Sequence, residues 1–269
     1  MNKQAEKYLR KSALPTIFCP GCGHGTVLNT FLKAIDDLDI INQLGLVGGI
    51  GCSSWIPVFV NTDVIHTLHG RAIPVATGLK LSNPDLHVIV FCGDGDCLAI
   101  GGNHFLHACR RNLNITVVLL DNQIYGMTGG QVAPTTPYMG KTQTSPYGCR
   151  EYSLDSCNVA ISAGATYVAR GASTHPIRLK KLLIEGIEHK GFSFIHVLSQ
   201  CPTQAGRYMY GTGKPVEMIK LLQADTVTVQ RAKGMKEEDL EGKIVLGKLY
   251  EDTSKHELTE CIYTLKGEC

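Results

Sequence analysis

The chain carries no long block of one charge: 26 Lys and Arg stand against 24 Asp and Glu, a net charge of +2 over 269 residues. A protein that grips nucleic acid or an acidic membrane needs a concentrated basic field, so neither partner is expected. No apolar run approaches the roughly 18 residues that a membrane span requires. The opening Met1–Lys7 is charged and has no apolar core of a secretory signal. A soluble, cytoplasmic protein is the expectation. Internal repeats, low-complexity tracts and a second C-x-x-C pair are also missing. The eleven cysteines are an odd number spread along a mid-sized chain. That argues against a disulfide framework and in favour of thiolates for metal.

What is present is apolar content of 43%, enough for one large core. Short Val/Ile-rich runs alternate with longer stretches of 3.6-residue period, the pattern of a parallel α/β sheet. Strands are expected at 46–50, 64–68, 87–92, 115–120, 166–169 and 192–198. Helices at 26–38 and 177–188 place Leu28, Phe31, Leu32, Ile35 and Leu38, and Leu179, Leu182, Leu183 and Ile187, on single faces. A further helix is expected over 97–110, and Pro74 and Pro176 suit first-turn positions. Residues 123–150 hold many Gly, Pro and Thr with no period, and so long a loop in a compact domain is usually functional or disordered. Past Pro202 the pattern weakens, with a helix at 216–223 and a strand at 243–250. Residues 1–205 are read as one domain, and 206–269 as a C-terminal extension packing on it or on a partner.

The strand His87–Cys92 runs straight into Gly93-Asp94-Gly95-Asp96 and then a helix. Ligands of open α/β sheets bind at such strand ends. Glycines there let phosphate oxygens approach the backbone, and a helix amino terminus offers unpaired N–H groups. Twenty-eight residues after Asp94, at the end of the next strand, comes Asn122. A parallel sheet brings the two to neighbouring strand ends, where carboxylate and amide oxygens can share a hard cation such as Mg²⁺. The plainer reading is a helix cap at Asp94 and a strand end at Asn122. Two other phosphate motifs fail: a dinucleotide fingerprint needs glycine where Leu98 stands, and Gly211-Thr212-Gly213-Lys214 lacks the P-loop spacing. His69, in a turn before the helix near Pro74, is placed to offer an imidazole to phosphate; His66, His104 and His107 read as core or helix-surface residues.

Cys19-Pro20-Gly21-Cys22 turns both sulfurs toward one centre. Alone it is equally a zinc half-site or a redox pair. Cys52, in Gly51-Cys52-Ser53, and Cys201, in Gln200-Cys201-Pro202, are single cysteines in strand-end loops.

Taken in order over residues 14–205, these motifs resemble the β subunit of 2-oxoacid:ferredoxin oxidoreductases, the 2-oxoglutarate branch. The resemblance implies a thiamine-diphosphate-binding fold, a mostly parallel sheet flanked by helices on both faces. It implies a [4Fe–4S] cluster on Cys19, Cys22, Cys52 and Cys201, a ligand set that suits such a cluster. It further implies Mg²⁺ on Asp94, Asn122 and the carbonyl of Ile124. Gly93, Gly95, Asp96, Gly126 and Met127 would surround the diphosphate, and Ile50, Gly51, Cys52, Ser53 and His69 would flank the cofactor, with His69 and Ser53 as catalytic candidates. The implied reaction is coenzyme-A-dependent oxidative decarboxylation of a 2-oxoacid, with electrons passed through the cluster to ferredoxin. The remaining cysteines, Cys92, Cys97, Cys109, Cys149, Cys157, Cys261 and Cys269, read as small core or surface residues.

Thiamine activation needs a carboxylate at the aminopyrimidine, and no Glu lies in any of these motifs. An α subunit is therefore expected to supply it. Trp55 stands where several relatives carry Lys or Arg, which leaves branched-chain 2-oxoacids or pyruvate as alternative substrates to 2-oxoglutarate; plain packing is the other reading of Trp55. The loop 123–150 is read as substrate-side and part of the partner interface, with Tyr125 and Met127 closest to the thiazole. A zinc-stabilised, non-catalytic α/β binding module is the rival from another class. A magnesium-dependent phosphatase is a third, without an identifiable nucleophile.

Overall fold

β-Branched and aromatic side chains stack well on a pleated surface, and the Val/Ile runs form strands accordingly. The structure, a computed structural model, describes residues 6–264. Its strands are β1 (Leu44–Gly48), β2 (Asp63–His66), β3 (His87–Gly93), β4 (Thr116–Asp121), β5 (Ile124–Tyr125) and β6 (Gln131–Val132). The second half adds β7 (Tyr167–Ala172), β8 (Ser193–Leu198), β9 (Thr226–Thr228) and β10 (Ile244–Glu251). The longer helices are α1 (Gly23–Leu38), α2 (Ala72–Ser82), α3 (Gly102–Arg111), α4 (Ser156–Ala163), α5 (Pro176–Glu188) and α6 (Pro215–Asp225).

Eight strands form one sheet in the order β2-β1-β3-β4-β8-β7-β10-β9, and β5 and β6 make a separate hairpin. All neighbours run parallel except β7 and β10. Alternate residues of each strand serve opposite faces. Leu46, Ile89, Phe91, Val118 and Ile195 pack under α1 and α5, against Phe31, Ile35 and Leu183. Val47, Val90, Val117, Leu119 and Phe194 pack under α2, α3 and α4, against Ala76, Phe105 and Ala160. Both faces are thus covered, as a parallel sheet requires. No helix among the described residues is long and apolar enough to cross a membrane.

Three places depart from the sequence reading. The helix expected over 97–110 is split into a wide π turn at Gly95–Ile100 and α3. A β-carbon at Gly101 would lie 2.6 Å from the Asp96 carbonyl, so the chain widens where glycine lets it pass. The stretch 123–150 holds the β5–β6 hairpin, and its threonines fasten the rest to the backbone: Thr136 Oγ1 donates to the Gln123 carbonyl at 2.6 Å. Cys261, read as an ordinary small residue, is disulfide-bonded.

Candidate active site

Strand order decides where a ligand can enter. β2 lies on one side of β1 and β3 on the other, so the order in which strands are added reverses at β1, and the carboxyl ends of β1 and β3 open a crevice there. The loops leaving β1, β3 and β4 line a cleft there, with Ile50, Cys52, His69, Asp94, Asn122 and Tyr125 among its walls. Gly51, Ser53, Gly93, Gly95, Asp96, Ile124, Gly126 and Met127 line it too. One cleft therefore gathers the glycine turn, its asparagine partner and the Gly-Cys-Ser loop.

Asp94 and Asn122 follow β3 and β4, whose register pairs Gly93 with Leu120. Asp94 Oδ1 accepts from Gly95 N at 2.7 Å, and Asn122 Oδ1 from Ile124 N at 3.3 Å. The Asp94 carboxyl is buried, and that burial together with the nearby Asp121 charge pushes its pKa well above the usual carboxylate range. Burial acts the same way on Asp121, but hydrogen bonds from His196, Thr135 and the Gln123 N–H outweigh it and hold its pKa down. Buried carboxyl oxygen without a cation is costly, and a hard cation at Asp94 would remove that cost. The Ser53 hydroxyl is also buried with no hydrogen-bond partner, on the same cleft. These donors and acceptors fit a magnesium-held diphosphate. At Gly95 a side chain meets the Tyr125 ring, since its β-carbon would lie 2.1 Å from it.

Asp96 ties three loops together. Its Oδ1 accepts from Gly70 N at 2.7 Å and Ile50 N at 3.2 Å, and lies 2.5 Å from His69 Nδ1. That oxygen is consumed internally, so Asp96 shapes the cleft by fixing the loops after β1 and β2. Gly49 permits the approach, because a β-carbon there would lie 1.8 Å from Asp96 Oδ2.

Cys22 N donates to the Cys19 carbonyl at 3.0 Å, with Gly21 at φ +76°. Pro before a positive-φ glycine is the composition of a type II turn. The segment after β8 clamps this turn: Gly23 N donates to the Gln200 carbonyl at 3.0 Å, and Gln200 Nε2 to the Gly21 carbonyl at 3.2 Å. Cys201 is thereby carried to Cys22. Burial pushes the Cys22 thiol up to about 12 and the Cys52 thiol up to about 11; the charges of Cys201 and Cys19 add to both, and that of Cys52 to Cys22. Cys22 and Cys52 thus each lie within electrostatic reach of the other three thiols. A cluster that takes them as thiolates would relieve that cost, so the donor set fits one. Among the described residues, no three His, Cys, Asp or Glu side chains converge as ligands of a single metal ion.

Several participants escaped the sequence reading. His24 is fully buried on the same cleft, with Nδ1 2.8 Å from Ser199 Oγ. Thr135 reaches Asp94 from the long loop, and His196 reaches Asp121 from β8. No local motif marks any of them. Trp55, considered as a substrate selector, is absent from the cleft lining; it packs against the core, edge-on to His66 with ring centroids 6.0 Å apart.

Fold and cleft together define a thiamine-diphosphate-binding enzyme domain of the parallel α/β type, and residues 49–197 match the family model described as thiamine pyrophosphate enzyme, C-terminal TPP binding domain. The chain is 53% identical to the 2-oxoglutarate synthase subunit KorB of Methanocaldococcus jannaschii, over 97% of this chain and 96% of that protein. It is 47% identical to the subunit of the same name from Methanothermobacter marburgensis, over 97% and 92%. A solved 2-oxoglutarate:ferredoxin oxidoreductase from Magnetococcus marinus, with 2-oxoglutarate, coenzyme A and succinyl-CoA bound, superposes with a TM-score of 0.86 at 35% identity, covering 98% of this chain and 90% of that one. The chain belongs to the KorB family, the β subunits of 2-oxoacid:ferredoxin oxidoreductases, and is one subunit of a multi-chain, thiamine-diphosphate-dependent enzyme.

Proposed function

We propose that this subunit acts in the coenzyme-A-dependent oxidative decarboxylation of 2-oxoglutarate, with electrons leaving through a [4Fe–4S] cluster to ferredoxin. The observation that carries the substrate is the 53% identity, sustained over almost the whole length, to a 2-oxoglutarate synthase subunit. Trp55 then packs the core, and 2-oxoglutarate is preferred over pyruvate or a branched-chain 2-oxoacid.

Thiamine diphosphate supplies a nucleophilic carbon and an electron sink for the decarboxylation. The chain's own residues bind and orient. Asp94, Asn122 and the Ile124 carbonyl hold Mg²⁺, all three lining one cleft. Gly93 and Gly95 let the diphosphate approach the backbone, with Gly126 and Met127 around it. Asp96 receives the Nδ1–H of His69, which leaves Nε2 free to meet a group in the cleft. Ser53 offers its unpartnered hydroxyl to the bound molecule. Cys19, Cys22, Cys52 and Cys201 hold the cluster, a four-thiolate set of the kind such centres use. Among the described residues no Glu lines this cleft, and the carboxylate for the aminopyrimidine comes from the α subunit. Residues 6–205 form the cofactor domain, and the later residues add β10 beside β7 and cover that edge of the sheet.

The test is anaerobic purification of the complex, followed by a visible spectrum, iron, sulfide and thiamine assays, and coenzyme-A-dependent rates on 2-oxoglutarate, pyruvate and 2-oxoisovalerate. A brown, thiamine-containing complex most active on 2-oxoglutarate, with no turnover by the isolated chain, is expected. A colourless zinc protein, or robust decarboxylation by this chain alone, overturns the reading.

A further inference from the structure

A buried line of polar groups leads from Asp94 through the sheet toward the surface. Thr135 Oγ1 lies 2.9 Å from Asp94 Oδ2 and 2.8 Å from Asp121 Oδ1. Asp121 Oδ2 lies 2.8 Å from His196 Nε2. On the far side of the ring, Arg170 Nε donates to His196 Nδ1 at 3.1 Å, and Cys157 Sγ lies 3.8 Å from the same nitrogen. Arg170 Nη2 reaches Asp155 Oδ1 at 2.8 Å, where the line meets solvent. Asp94, Thr135, Asp121 and His196 are all buried. A sheet end needs none of these polar groups for its packing, and burying them is costly unless each is satisfied.

Donor and acceptor chemistry orders the line. Arginine only donates, so the ring nitrogen facing Arg170 accepts, and the hydrogen of the imidazole sits on Nε2. That N–H donates to Asp121 Oδ2. Asp121 Oδ1 also accepts from Gln123 N at 2.9 Å, so this carboxylate is supplied with donors on both oxygens. Thr135 has one hydroxyl hydrogen between two carboxyl groups. Asp94 Oδ2 is the acceptor with the greater need, because the Gly95 N–H serves the other oxygen, Oδ1.

We propose that His196 is a positioning residue for the metal-binding carboxylate: by supplying Asp121 from behind, it turns the Thr135 hydroxyl onto Asp94 Oδ2 and fixes the orientation in which Asp94 meets the cation. This rests on the reading of Asp94 as a magnesium ligand. Partners that orient a metal ligand typically change metal affinity by about 10- to 100-fold when removed.

The test uses the purified complex stripped of metal with chelator, with thiamine diphosphate binding followed by calorimetry as Mg²⁺ is added back. His196→Leu and Thr135→Val are expected to raise the half-saturating Mg²⁺ by about tenfold or more; Thr135→Val should keep the melting temperature at saturating Mg²⁺ near wild type, while His196→Leu lowers it by stranding the buried Asp121. His196→Gln, which keeps a donor toward Asp121, and Thr135→Ser, which keeps the hydroxyl, are expected to recover most of the loss. The double variant His196→Leu with Thr135→Val should cost no more than the worse single change, since both act through one oxygen. An unchanged half-saturation in both single variants, or additive losses in the double, overturns the proposal. Should His196→Leu fail to fold, the near-isosteric Thr135→Val and its serine counterpart decide it. If the wild-type complex binds thiamine diphosphate without any Mg²⁺ dependence, the magnesium reading itself fails; if it binds normally and the variants match it, only the positioning role fails.

Discussion

The carboxylate of Asp96 lies 2.5 Å from Nδ1 of His69, a contact that joins the residue after the glycine turn of β3 to a loop 27 positions earlier. The buried Asp96 has a side-chain exposure of 2%, while His69, at 32%, keeps access to the cleft. An imidazole held at one nitrogen presents the other in a fixed direction. Asp96→Asn and His69→Ala are expected to lower kcat by about 100-fold or more in the cofactor-saturated complex. The double variant should be no worse than the worse single one, because the two act as a unit. A change confined to KM, with kcat intact, would remove His69 from the chemistry.

The diphosphate turn has room for no side chain at position 95. Adding a β-carbon there drives it to 2.1 Å from the Tyr125 ring, whose hydroxyl also approaches the Gly95 carbonyl at 3.4 Å. Gly95→Ala is expected to destabilise the chain by about 1–3 kcal/mol through overpacking and to weaken cofactor retention. Tyr125→Ala in the same chain should return most of the lost melting temperature. A Gly95→Ala chain as stable as wild type would show that Tyr125 yields freely.

Cys97 provides an internal control for the cluster. It is buried beside Cys92, and these two thiols, like Cys109, lie on the α3 side of the sheet. Cys22→Ala and Cys201→Ala are expected to abolish the iron–sulfur absorbance while leaving thiamine diphosphate bound. Cys97→Ala should leave both, with at most a small stability loss. Retention of the full absorbance by either of the first two variants would break the ligand assignment.

Burial holds the His189 pKa below its ordinary value of about 6.5; Lys248 acts with it, Glu251 and Asp252 against it. The ring is 2.8 Å from Thr166 Oγ1 at the start of β7. A folded pKa below the unfolded one means the unfolded chain binds the proton first. The stabilisation is therefore complete above about pH 6.5 and declines as the pH falls below it. His189→Gln should flatten the dependence of the unfolding midpoint on pH in that window. An identical slope in wild type and variant would assign the acid sensitivity to other groups.

Much of the arrangement is legible in the sequence because it is local. Pro20 and Gly21 set the turn that pairs Cys19 with Cys22, and the unbroken apolar run Val88–Cys92 writes a strand buried on both faces that must deliver Gly93–Asp96 to its tip. The distance from Asp94 to Asn122 equals one helix plus one strand, so a parallel sheet places them side by side. The split of the helix after Asp94 was not legible, since it depends on how closely Gly101 must pass the Asp96 carbonyl.

By itself, then, the sequence determined most strands and helices and the glycine and cysteine turns, because periodicity and turn chemistry act between residues a few positions apart, and the order of those motifs carried the resemblance to the family. Only the tertiary structure decided that His24, Thr135 and His196 face the same strand ends as Asp94, and that Trp55 packs away from them. Those side chains come from separate elements, and the order β1-β3-β4-β8 in the sheet, which no local pattern states, is what brings them together.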